Sequence, residues 1–206
     1  MKTSIKYIVA IFAMALTFVS CSNDDETAVN ELDGITKFKE ITNDTHSIEL
    51  YSHMGSLEQG YNEISLRIKD NTTDKYIKDA EVSWTPLMHM TSMTHACPYS
   101  TVEKVTENGT LYEGYIMFQM AQNETEYWDL KIDYTINGVD YTVTSVIDVP
   151  ASAKRKVNTF TGSDGVKYLV AYIEPHHPKV AVNDMKVGVW KMQSMMNFPV
   201  VDGYTV

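Results

Sequence analysis

The chain has 206 residues, with 17 basic and 27 acidic side chains and a formal net charge of −10. That excess excludes a surface built to hold nucleic acid or anionic lipid head groups, and it favours cationic ligands. Two cysteines in a chain of this length exclude a disulfide-stapled scaffold, so any fold rests on one or two ordinary hydrophobic cores.

The N-terminus is read first. "MKTSIK" carries two lysines, "YIVAIFAMALTFV" is an apolar run too short to span a bilayer, and "FVSC" closes it. This predicts a secretory leader over residues 1–20. Ser20-Cys21 resembles a bacterial lipobox, in which Cys21 is the lipidated residue, with Phe18 where leucine is usual. Removing Lys2 and Lys6 leaves 15 basic against 27 acidic residues, or −12, for the mature chain. With Cys21 acylated, Cys97 is the one thiol left. "SNDDETAVNELDG" comes next, too acidic and too poor in aromatics to order itself. Residues 21–40 therefore read as a flexible acidic tether. The segment looks like that of an outer-membrane lipoprotein, facing either the periplasm or the cell surface.

Period-2 alternation dominates residues 47–149. "SIELYSH" (47–53), "NEISLRIKD" (62–70), "AEVSWTPLMHM" (80–90), "LYEGYIMFQMA" (111–121), "EYWDLKIDYTI" (126–136) and "DYTVTSVIDV" (140–149) read as strands. Asn137-Gly138 is the strongest hairpin signal. Six strands with regular turns predict an all-β, immunoglobulin-like antiparallel sandwich over 41–150. "VPASAKRKVNTF" (149–160) reads as a linker. Beyond it "GVKYLVAYIEP" and "VNDMKVGVWKM" are strands again.

These later strands align with the earlier ones. "YNEISLRIKD" matches "VNDMKVGVWK" at an offset of 183 − 62 = 121, placing Asn62 on Asn183 and Leu66 on Val187. Asp79 then matches Asp202 at 123. Residues 151–206 are expected to be a linker and a truncated second β domain of a longer two-domain lipoprotein. On that expectation Val187, Val189 and Trp190 lack an opposing sheet, and proteases cut 150–206 first.

"PLMHMTSMTHACP" (86–98) is chemically unusual. On a strand, Met88 and Met90 share one face, with Leu87 and His89 on the other. After a turn at Thr91-Ser92, Met93, His95 and Cys97 again share a face. Pro86 and Pro98 place the stretch at a sheet edge or in a loop. Thioether and thiolate select copper(I), and imidazole suits copper and zinc alike. Met88, His89, Met90, Met93, His95 and Cys97 are the candidate ligands. A methionine-rich packing or partner surface is the alternative. Blue-copper order, zinc spacing and calcium loops are not matched.

"DAEVSWTPLMHMTSMTHACP" resembles YtkA-like and FixH-like domains, small extracytoplasmic immunoglobulin-like sandwiches associated with copper handling. The resemblance spans roughly 45–150 and is sharpest at 79–98. It implies Met88, Met90, Met93 and His95 as ligands, with His89 as a fifth; Cys97 stands where a small residue such as serine is usual. It also implies copper as the bound metal and a membrane-anchored or lipoprotein form, and a copper transporter or delivery protein is the expected partner.

No G-x-S-x-G, H-E-x-x-H or P-loop pattern is present, so no enzymatic role is expected. In "EPHHPK" the adjacent His176 and His177 would face opposite ways on a strand, and the segment reads as an exposed connector. Thirteen tyrosines and three tryptophans leave a second function open: a surface module whose β faces bind a glycan or protein partner.

Overall fold

The computed structural model describes residues 30–202. The leader, Cys21 and most of the tether lie outside the described residues, as do the last four residues of the chain. In chain order the strands are β1 (Thr36–Thr42), β2 (His46–Ser52), β3 (Gly60–Asp70), β4 (Glu81–His89), β5 (Thr94–His95), β6 (Glu103–Lys104), β7 (Tyr112–Phe118), β8 (Tyr127–Ile136), β9 (Val139–Ile147), β10 (Val157–Thr161), β11 (Lys167–Glu174) and β12 (Lys186–Lys191). They form three antiparallel sheets, ordered β1-β2-β3-β7-β6, β5-β4-β8-β9 and β10-β11-β12. Among the described residues there is no helix.

The first two sheets make a β-sandwich. Alternate residues along each strand point inward, so Ile48 and Leu50, Ile64, Leu66 and Ile68, and Ile116 and Phe118 form one wall. Trp84, Met88, Trp128, Leu130, Ile132, Val143 and Ile147 form the other. The buried indoles keep their hydrogen bonds: Trp84 Nε1–H donates to the Ser100 carbonyl and Trp128 Nε1–H to that of Met120, each at 3.0 Å. Asn137 and Gly138 take φ of 51° and 77°, the left-handed pair that a two-residue hairpin between β8 and β9 requires.

Two segments differ from the composition-based reading. Residues 36–40, given to the tether, belong to β1. This edge strand buries Ile41 and part of Phe38 and leaves most of its other side chains at least partly exposed, so it shows no clear alternation. Just before it, the Glu31 carboxylate accepts the backbone N–H of Thr110 at 3.0 Å and its hydroxyl at 2.8 Å. Residues 157–160, given to the linker, belong to β10, which pairs with β11 along its whole length although its side chains are mostly exposed.

The third sheet lies against the outer face of the first. Tyr115 and Met117 alternate with the core residues Ile116 and Phe118, so they point away from the sandwich. Leu169 and Ala171 of β11, Trp190 of β12 and Phe198 pack on Met117 and Ala96, with Tyr61 and Tyr115 alongside. Trp190 is only 2 % exposed, and its Nε1–H donates to the Tyr115 hydroxyl at 3.1 Å. Its ring fills the space over Gly188, where a Cβ would lie 2.2 Å from it. Trp190 therefore has a cover, whereas Val187 remains exposed. An ion pair between Lys156 and Glu58 ties the segment before β10 to the sandwich.

The third sheet repeats contacts of the first. β10-β11-β12 has the strand order of β1-β2-β3. The Asn62 amide clasps its own chain, donating to the carbonyls of Glu58 and Gly60 at 2.8 and 2.9 Å and accepting from Glu58 N–H at 3.1 Å. Asn183 does the same with Lys179 and Ala181, at 2.8 and 2.7 Å, and with Lys179 N–H at 2.8 Å. After β3 the chain returns through Asp70 N–H to Lys75 O and Ile77 N–H to Ile68 O. After β12 it returns through Lys191 N–H to Pro199 O and Val201 N–H to Val189 O.

Candidate metal centre

The methionine–histidine stretch folds back on itself. β4 is paired along its length with β8, and its other side is covered only by β5, which meets it at Met88 and His89. Pro86, with no N–H to donate, sits where that side is open. The reversal is closed by Met90 N–H donating to the Met93 carbonyl at 2.9 Å, with Thr91 and Ser92 at the tip.

This hairpin distributes the six expected ligands. Met88 and Cys97 are fully buried in the sandwich core. Burial also raises the Cys97 thiol well above its ordinary range, which keeps it protonated and a poor metal ligand. His89 lies on the other face of β4, where its Nε2 is 2.6 Å from Asp129 Oδ2 and its ring stacks on Tyr127 at 4.8 Å. Met90, Met93 and His95 come together at the hairpin end, lining a cavity of about 240 Å³.

The far side of that cavity comes from other parts of the chain. Met120 lies just after β7, and Met192 and Met195 just after β12; Gln119, Leu169 and Phe198 also contribute to its lining. Ala96 N–H donates to the Met195 carbonyl at 2.9 Å, so the two methionine-bearing loops are joined backbone to backbone. The cavity thus gathers five thioethers and one imidazole from three separate stretches. Sequence reading placed the first three in one segment and missed Met120, Met192 and Met195. The methionine-rich "KMQSMMNFP" (191–199) is the visible signal, and only the seating of the third sheet connects it with His95.

The tautomer of the His95 ring follows from its neighbours. Its Nδ1 lies 2.7 Å from the Ala96 carbonyl, which can only accept, and 3.2 Å from the Gln119 amide nitrogen; donation to the shorter partner, the carbonyl, puts the N–H on Nδ1 and leaves Nε2 as the ligating nitrogen of the neutral ring. The Gln119 amide lies beside it, Nε2 donating to the same carbonyl at 3.3 Å. Gln119 Oε1 is buried without a hydrogen-bond partner, an orphan acceptor on a cavity-lining side chain. Met93 and Met195 are each more than two-fifths exposed and open the cavity to solvent.

Among the described residues no three His, Cys, Asp or Glu side chains gather in a metal-binding arrangement. Whatever the cavity binds would be held by neutral soft donors, a set that suits copper(I) better than zinc or calcium. Comparison with family models, curated proteins and solved structures returned no match.

Proposed function

We propose that this chain is a lipid-anchored extracytoplasmic copper(I)-binding protein, a carrier or buffer rather than a catalyst. The observation that carries the reading is the convergence of Met90, Met93, Met120, Met192, Met195 and His95 on one cavity. The donors are neutral, so a bound cation keeps its charge there; Lys167 at the lining adds a positive charge that disfavours divalent ions. The anchoring half of the proposal rests on the Ser20-Cys21 lipobox. The repeated asparagine clasp and return bonds support reading the third sheet as a second copy of the β1–β3 unit, which supplies two of the methionines.

The aromatic-surface alternative has less to draw on. The Tyr51 and Tyr76 hydroxyls donate to Glu49 at 2.6 and 2.9 Å, Tyr112 to the Lys78 carbonyl at 2.7 Å, and Tyr134 accepts from Asn43 at 2.9 Å. These rings serve the fold.

The test is a copper(I) competition titration of the full chain and of Met90→Leu with Met93→Leu, a swap that nearly conserves volume. Affinity is expected to fall at least ~10-fold, or about 1.4 kcal/mol, with circular dichroism unchanged. Unaltered affinity would remove the cavity from the proposal.

A further inference from the structure

A pair of imidazoles meets near the end of β11 opposite to the one that lines the methionine cavity. His53 lies just after β2 and His176 in the connector after β11, 123 positions later, and their ring centroids are 5.9 Å apart with a tilt of 39°. Both line a cleft of about 340 Å³ with Met54, Glu63 and His177. The cleft is separate from the methionine cavity and shares no residue with it.

We propose that His53 and His176, with the Met54 thioether, form a second, solvent-accessible copper(I) site.

Three observations support it. The first is orientation: His53 Nδ1 is 3.1 Å from the Gly34 carbonyl, an acceptor only, so this nitrogen carries the proton and Nε2 keeps its lone pair. The second is spacing. A ring nitrogen sits about 2 Å from a bound metal, so two ring centroids about 5–6.5 Å apart can share one ion.

The third is charge. Lys156, the ammonium lining the cleft, is neutralised by Glu58. Glu63 also lines the cleft, which places a carboxyl group near any bound cation.

The donor set selects the ion. Two imidazoles and a thioether, with no third His, Cys, Asp or Glu completing a cage among the described residues, satisfy the low coordination number that copper(I) accepts. They fall short of the four ligands of structural zinc and the six to eight oxygens of calcium.

The experiment counts copper(I) equivalents bound by the full chain against a chromophoric chelator. The wild-type chain is expected to bind two. His53→Gln with His176→Gln should lose one equivalent and keep the other. Both side chains are exposed, so the fold is not at risk, and circular dichroism verifies it. Met90→Leu with Met93→Leu should lose the complementary equivalent, and X-ray absorption of that variant loaded with one copper(I) should show a nitrogen-dominated shell. A histidine variant that keeps both equivalents overturns this site, as does a sulfur-only shell, or zinc binding there in place of copper(I). If the methionine variant alone keeps both equivalents, the methionine cavity fails while the histidine site stands.

Discussion

Trp190→Ala removes the largest of the side chains through which the third sheet is held to the sandwich. The indole is 2 % exposed and donates to Tyr115 at 3.1 Å. Burying a Trp removes roughly 150–250 Å² from water, which at about 25 cal/mol/Å² corresponds to ~4–6 kcal/mol. Truncations of buried Phe and Trp cost about 3–5 kcal/mol, and the hydrogen bond accounts for roughly 1 of these. We expect a loss of about 4 kcal/mol, a large share of a typical domain stability of about 5–15 kcal/mol. Guanidinium unfolding followed by far-UV circular dichroism would measure it. Wild type should unfold in one transition and resist proteolysis in 150–202 as it does in 36–147; the variant should become sensitive there first. Because Met192 and Met195 come soon after Trp190 on the same chain, copper(I) affinity should fall with no ligand removed. A loss below about 1 kcal/mol, or an early separate transition in the wild-type protein, would refute the shared core.

Cys97→Ser should lower stability by about 1–3 kcal/mol by placing a hydroxyl in an apolar core, while leaving copper(I) affinity unchanged; a lost equivalent would make Cys97 a ligand. Burial alone would raise the Glu49 carboxyl, but hydrogen bonds from Tyr51, Tyr76 and Lys37 and the Lys37 charge outweigh it and hold it below the usual range. Its stabilisation is therefore complete above the unfolded value of about 4.3 and is lost as pH falls through the lower folded value. Glu49→Gln should cost about 1–3 kcal/mol at pH 7 and converge on wild type in acid; a pH-independent difference in urea midpoints would contradict this. Cys21→Ala should release the protein from the membrane fraction or leave an unprocessed precursor, and a mature membrane-bound variant would end the lipoprotein assignment.

The features that the sequence by itself determined are those that rest on local interactions. Side-chain alternation has a period of two whatever the partner strand, so β2, β3, β4, β7, β8 and β9 were legible within a few residues at each end, and Asn137-Gly138 declared its turn. The return at Thr91-Ser92 is equally local, and it was enough to bring Met90, Met93 and His95 to one end of a hairpin. Alternation put Met88 and Met90 on one face; Met88 is fully buried, and Met90, just past the end of β4, packs only partly against the same core. Alternation could not say where along β4 the opposing sheet stops, which is why Met88 is a core residue and Met90 lines a cavity. β1 and β10 were missed because edge strands with mostly exposed side chains carry no apolar period to read. Only the tertiary structure decided how the third sheet sits. Its docking through Trp190, Leu169 and Ala171 onto Tyr115 and Met117 brings Met192 and Met195 to His95 and sets His176 beside His53. Those meetings join positions about 100 or more residues apart, and no spacing rule encodes a distance that two packed sheet faces create.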